Sequence, residues 1–282
     1  MREDPTAGAH ELYGSDAYAP AEIARRVEAA GVTKARMPLL PLAMLGLLAG
    51  AFIGLGTMLS IIVRADATLG FATTQLLSGL VFSLGLLLVV VAGAELFTGN
   101  NLLAMAWADG RISSGEVLRN WAVVAAANFA GAAGLALVVF ASGHTEMGSG
   151  VIARTVVRIA LAKQELPWTE AFARGVLCNV LVCMAVWMAM AGRSVADKAV
   201  AVIFPVTAFV AAGFEHSIAN MYLMPLALLV QQAAPGAGQA AVTIGGSLAN
   251  IAVVIAGNIV GGSVLVALAY HVIYGRHRGE GG

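Results

Sequence analysis

The sequence predicts an all-α membrane protein: six transmembrane helices in an inverted 3+3 repeat, with the second and fifth helices broken. Composition is the first observation, since 59% of the 282 residues are hydrophobic and only 11% charged, against roughly 25% charged in a soluble domain. Such a chain lacks the polar surface to fold against water. The second observation is the even recurrence of apolar runs long enough to cross a bilayer. The third is a short pattern, Gly-x-Glu-x4-Asn, that occurs once in each half of the chain.

Taken in order, the first 36 residues mix acids and bases (Glu3, Asp4, Arg25, Arg26, Lys34, Arg36), and the stretch "APAEIARRVEAAGVTKAR" is amphipathic. Residues 1–37 are expected as a cytoplasmic cap helix rather than a cleavable signal, whose charged start and apolar core they lack. Apolar windows of about 20 residues mark the spans. The first runs from Leu39 to Val63 and is closed by Arg64 and Asp66. The second region, Leu69 to Trp107, holds one acid, Glu95, and is too long for one straight crossing. The third covers Val117 to Ser142, followed by a polar, partly amphipathic link through Trp168. The fourth covers Val176 to Ala191 and ends at "GRSVADK". The fifth, Ala199 to Val230, is overlong and apolar except for Glu215 and His216. The sixth runs from Val242 to Tyr274, so that residues 38–274 form the pore domain and 275–282 a tail.

Six crossings put both ends on one side, and Lys and Arg decide which. The termini and the loops on their side carry Arg2, Arg25, Arg26, Lys34, Arg36, Arg111, Arg119, Arg193, Lys198, Arg276 and Arg278, whereas the opposite loops carry Arg64, Arg154, Arg158, Lys163 and Arg174. Both termini are therefore expected in the cytoplasm. Sixteen basic and sixteen acidic residues cancel, so no nucleic-acid partner is expected. Cys178 and Cys183 are five apart, which points them about 140° apart on a helix. They read as small buried hydrophobes, neither a disulfide framework nor a metal motif.

The second region reads "VAGAELFTGNNLLAM" and the fifth "AAGFEHSIANMYLM", which align Gly93, Glu95 and Asn100 with Gly213, Glu215 and Asn220. A further echo joins Asn128 and Gly131 of the third span to Asn258 and Gly261 of the sixth. Halves of three spans each insert with opposite topology, which makes the repeat inverted. Transport proteins of this plan place their site where one helix of each half is broken, and irregular backbone at membrane depth must be buried in protein or line a cavity. New helix N-termini are expected near Glu95 to Thr98 and near His216 to Ser217, with free N–H groups aimed at a lumen that favours an anion. Glu95 and Glu215 are expected to accept hydrogen bonds from loosened backbone at the breaks, and the four asparagines to bond between helices, with Asn258 the best placed to line a path. His216 is the functional candidate, an ionisable ring inside a membrane span that titrates near physiological pH.

The segments "AELFTGNN", "LCNVLVCMAVWMA", "GRSVADK", "GFEHSIANMY" and "GNIVGG", in this order, resemble the formate/nitrite transporter family over about Met37 to Tyr274. The resemblance implies an aquaporin-like inverted repeat assembled as a homopentamer in the bacterial cytoplasmic (inner) membrane, with one pore per protomer. It implies passage of formate or nitrite, with hydrosulfide in one branch and acetate or lactate tolerated. It carries the family's central histidine onto His216, its pore threonine onto Thr98, its vestibule lysine onto Lys163 and its pore asparagine onto Asn258. The apolar constrictions fall on Phe82, Leu86, Leu96, Phe97, Val182 and Phe209.

Rings of Phe and Leu exclude water, and a bare anion pays many kcal/mol there in lost hydration, while a neutral acid pays far less. The expected mechanism draws the anion in by Lys163 and the helix ends, then protonates it near His216, so that formic or nitrous acid crosses the narrow part. Charging of His216 at low pH is expected to gate the passage. An enzyme is not expected, since no second His or Cys is in register with His216: His144 is expected in an outer loop and His271 near the far end of the last span, and no metal or cofactor set is in view. A neutral-solute channel shares the repeat plan, yet the paired Asn-Pro-Ala motifs of aquaporins are absent from the sequence.

Overall fold

The computed structural model describes residues 17–233 and 241–275; Arg2, Arg276 and Arg278 of the charge count lie outside them. The described chain is all-helical. Helix α1 (Pro20–Ala35) starts with Pro at its first turn and buries Ile23, Ala24, Val27 and Gly31. It packs on the bundle, since Ile23, Ala24 and Val27 share one apolar cluster with Leu102, Met105, Trp187 and Val266.

Helix α2 (Leu39–Ala65) begins after Pro38 and ends at Asp66, whose carboxylate accepts the N–H and hydroxyl of Thr68 at 2.8 and 2.7 Å. Those bonds hold the Asp66 carboxyl below its usual range. Helix α3 (Phe71–Leu87) continues as a wider π turn over Leu88–Gly93. After an extended stretch the chain resumes as a 3-10 turn, Gly99–Leu102, and then as α4 (Leu103–Ala108). Helix α5 (Ser114–Ala141) opens with a reciprocal cap between Ser113 and Glu116, which satisfies N–H groups that a helix start otherwise leaves bare.

Helix α6 (Met147–Gln164) contains left-handed residues at Gly148, Ser149 and Gly150, so its regular turns begin after them. Helices α7 (Trp168–Ala191), α8 (Val195–Ala211), α9 (Ser217–Ala233) and α10 (Ile244–Ile259) come next, and a π segment, Val260–Leu268, leads into α11 (Ala269–Tyr274).

Among the described residues, five helical segments are long and apolar enough to cross a membrane: Leu39–Ala65, Phe71–Gly93, Ser114–Ala141, Trp168–Ala191 and Ile244–Tyr274. The predicted fifth span is not one of them, because it is divided into α8 and α9, each 17 residues long. The predicted fourth span begins too late by eight residues: α7 already starts at Trp168, with its charged first turns closed by an Arg174–Glu170 pair at 2.9 Å. An i, i+4 pair of this kind supports a helix whose hydropathy is still low.

Close helix contacts explain the glycines of the second echo. A Cβ on Gly131 of α5 would lie 1.9 Å from the Leu47 carbonyl of α2, and one on Gly261 would lie 2.2 Å from the Val176 carbonyl of α7. Membrane helices approach this closely only where a small residue lets the backbones meet.

Candidate functional site

The site grows from the two interruptions. At the first, Gly93 adopts φ 89°, a left-handed value open to glycine, and the Ala94 N–H reaches back to Val89 O at 3.0 Å. At the second, Gly213 has φ 73° and the Phe214 N–H reaches Phe209 O at 3.0 Å. The next N–H groups leave the helix ladder altogether: Glu95 N–H donates to Leu45 O and Glu215 N–H to Arg174 O, both at 3.2 Å.

Asparagines hold the remaining loose backbone. Asn128 donates to Gly46 O (2.7 Å) and Glu95 O (2.9 Å) and accepts from Phe97 N–H (2.9 Å). Asn258 donates to Gly175 O (2.8 Å) and Glu215 O (3.0 Å) and accepts from Ser217 N–H (3.1 Å). Each side chain therefore spends both donors and an acceptor on main chain, which is what lets non-helical backbone sit in a dry interior. The two carboxylates have a different task from the one the sequence implied. Glu95 accepts from Lys34 Nζ (2.8 Å) and Asn100 Nδ2 (2.7 Å), and Glu215 from Lys163 Nζ (2.6 Å) and Asn220 Nδ2 (2.8 Å). Their partners are side chains, not freed amides.

The outer links match too. Asn100 donates to Asn120 (3.0 Å), whose amide donates to Lys34 O (3.1 Å); Asn220 donates to Asn250 (2.8 Å), whose amide donates to Lys163 O (2.9 Å). Sequence reasoning missed Lys34, Asn120 and Asn250, although two signals were present. Lys-x3-Pro precedes both α2 (Lys34, Pro38) and α7 (Lys163, Pro167), and Asn-x7-Asn-x2-Gly occurs at Asn120, Asn128, Gly131 and again at Asn250, Asn258, Gly261.

Between the interruptions, Thr98 and His216 meet. The Thr98 Oγ1 and His216 Nε2 are 3.1 Å apart, with Thr98 fully buried and His216 3% exposed. Ala219 N–H donates to His216 Nδ1 at 3.2 Å, so the ring caps the start of α9. An Nδ1 that accepts carries no proton, which assigns the neutral ring's proton to Nε2 and its bond to Thr98. The Phe209 ring stacks on the imidazole (5.8 Å between centroids, 18°), and Phe82 meets it edge-on at 6.3 Å.

Two cavities lie near this pair: one is lined by Leu96 and Gly99, close along the chain to Thr98, and the other reaches His216 itself. One of about 460 Å³ is lined by Arg26, Lys34, Leu86, Glu95, Leu96 and Lys198 among others. The other, about 360 Å³, is lined by Arg64, Phe82, Lys163, Phe209, Glu215 and His216 among others. Of the predicted constriction residues, Phe82, Leu86, Leu96 and Phe209 thus face a cavity. Phe97 and Val182 line neither: the Phe97 ring packs on Trp121 at 6.4 Å, and Val182 is buried in the core. Asn258 also lines neither, because its amide is committed to the second interruption.

An apolar bundle with two charged cavities near a buried polar pair is the architecture of a membrane channel or transporter. The chain belongs to the formate/nitrite transporter family, whose model matches residues 21–272. It is 38% identical over 271 residues to the formate channel FocA of Escherichia coli strain K12, covering 92% of this chain and 95% of that one. It is 35% identical over 284 residues to a probable formate transporter of Methanothermobacter thermautotrophicus, covering 93% and 98%. Among solved structures it resembles a pentameric formate channel with formate bound (37% identity, TM-score 0.78, covering 84% of this chain and 97% of that one). An ion channel of the same family gives 31% identity and a TM-score of 0.80, covering 89% and 98%.

Proposed function

We infer that this protein is a formate channel of the bacterial inner membrane, a homopentamer with one passage per protomer and both termini in the cytoplasm. Residues 38–274 form the passage, built as an inverted 3+3 repeat of six crossings in which α3–α4 and α8–α9 are the broken second and fifth spans. The recurrence of the Lys–Glu–Asn–Asn chain and of the stapling asparagine in both halves supports the repeat. Helix α1 covers the cytoplasmic cavity, and the second cavity opens to the periplasm.

The observation that carries the reading is the buried Thr98–His216 pair, whose histidine lines one of two charged cavities, in a chain similar to channels named for formate. Formate enters either cavity as an anion, attracted by the lysines and the helix start at Ser217. At the Phe82, Leu86, Leu96 and Phe209 wall it crosses as formic acid, because desolvation raises a carboxyl group's pKa and makes it easier to protonate. The neutral His216 ring donates through Nε2 to Thr98, which frees the Thr98 hydroxyl proton for the passing oxygen. That ring has no second proton to give without becoming an imidazolate. The proton therefore comes with the substrate from cavity water, and His216 orders the path. Charging His216 requires a proton on Nδ1 and breaks its bond to Ala219, so acidification acts on the start of α9 and gates flux.

Uptake of labelled formate and nitrite by vesicles containing the purified protein, beside swelling in glycerol, tests this. Saturable formate uptake without glycerol swelling supports the reading. Glycerol swelling without formate uptake refutes it, and nitrite uptake without formate moves the substrate within the family.

A further inference from the structure

The second cavity carries more positive charge than its acids account for. Arg64, Arg158, Lys163 and Arg174 line it together with Glu215. Lys163 takes Glu215 at 2.6 Å and Arg174 takes Glu170 at 2.9 Å. Asp66, two residues beyond Arg64, is bonded to Thr68. Among the described residues, Arg64 and Arg158 are left with no ion-pair partner. Their hydrogen bonds run to main-chain carbonyls: Arg64 Nη2 to Val210 O at 3.3 Å, and Arg158 Nη2 to Arg64 O at 3.4 Å. The second of these brings the Arg158 guanidinium against the last turn of α2, so both charges share one mouth.

Two like charges in a concave, partly dry mouth repel each other unless an anion lies between them. Each guanidinium has five N–H donors in a fixed fork, and the bonds above use one apiece. That fork matches a planar pair of oxygens, whereas an ammonium acts as a point charge.

We propose that Arg64 and Arg158 form an outer recognition site for a planar two-oxygen anion, which gathers such anions ahead of Lys163 and His216. The proposal rests on the second cavity being an approach to the passage. Formate and nitrite have the required pair of oxygens. Hydrosulfide and chloride do not, so the site favours the first two over the last two before the narrow part is reached.

Two readouts separate this claim from the formate reading. The first is modification of Arg64 and Arg158 in the intact protein by an arginine-specific dicarbonyl, read by peptide mass spectrometry, which needs no transport. Formate and nitrite should protect both arginines at concentrations where chloride does not; equal protection by chloride overturns the fork. The second is formate uptake by vesicles containing wild type, Arg64→Gln, Arg158→Gln or the double variant. Loss of charge-assisted bonds should raise half-saturation roughly tenfold, with fluxes converging at high formate. Unchanged half-saturation in the double variant overturns the site. Arg64→Lys with Arg158→Lys keeps the charge and decides the matter if the Gln variants fail to assemble: wild-type affinity there refutes the fork, and weakened affinity supports it. An effect seen only in vesicles with anionic lipid assigns the arginines to headgroups and likewise overturns the proposal. Protection without any formate flux leaves the site standing and sinks the formate reading.

Discussion

Replacing Asn258 with Leu, close in size but without polar atoms, should destabilise the protein by about 3 kcal/mol or more. The Leu leaves Gly175 O, Glu215 O and Ser217 N–H without the partners they have at 2.8, 3.0 and 3.1 Å. Interhelical hydrogen bonds in membranes average only about 0.6 kcal/mol, since an unfolded chain finds other partners. Three such bonds alone would give about 2 kcal/mol. Asn258 is fully buried, and each orphaned group in a dry interior costs about 1–3 kcal/mol, so the orphan term dominates. Asn128 holds the same three kinds of partner at 2.7, 2.9 and 2.9 Å. Asn128→Leu should therefore lose the same amount within about 1 kcal/mol, the usual scatter between contexts. The assay is reversible denaturation of both variants in one detergent, followed by loss of helical signal. A loss below about 1 kcal/mol for either would refute the stapling role, and a large loss for one alone would refute the equivalence of the halves.

Lys163→Met strands the Glu215 carboxylate, 2% exposed, and should cost about 2–4 kcal/mol, while Lys163→Met with Glu215→Gln recovers most of it; denaturation midpoints of the two variants check this. Gly261→Val should prevent assembly, because its Cβ would meet the Val176 carbonyl at 2.2 Å; size-exclusion chromatography reads the result. Thr98→Val removes the hydroxyl at the His216 contact and leaves the buried Nε2–H without its partner, so it should lower formate flux roughly tenfold or more at a stability cost of about 1–3 kcal/mol. His216→Asn keeps a side-chain cap for α9 but loses the Nε2 bond to Thr98 and should lower formate flux roughly tenfold; flux equal to wild type removes the role of the pair.

The sequence made both interruptions legible because they depend on local chemistry. A glycine that must take positive φ, an acid inside an apolar run and an asparagine five residues later are visible without knowing what lies opposite. Asn128, Asn258 and their glycines were visible for the same reason, as spaced repeats on one helix face. What lay beyond reach was partner choice. The tie from Lys34 to Glu95 spans 61 positions and joins an amphipathic helix to a membrane-depth turn, so no local pattern connects them. Phe97 and Val182 look like any other apolar residue, and only the packing of Phe97 on Trp121 takes it away from the cavities. The early start of α7 was hidden because Glu170 and Arg174 depress the hydropathy of a turn that pairing them makes helical.

That a small acid crosses uncharged between Thr98 and His216 is tested most directly by labelled formate flux under a potassium-valinomycin clamp. Moving one charge across the membrane is worth roughly 2.3 kcal/mol per 100 mV, so an anion's flux must follow the imposed potential. The account predicts the same flux at every clamped potential, with one proton taken up for each formate. Flux that rises several-fold when the far side is made positive, without matching acidification, would contradict it.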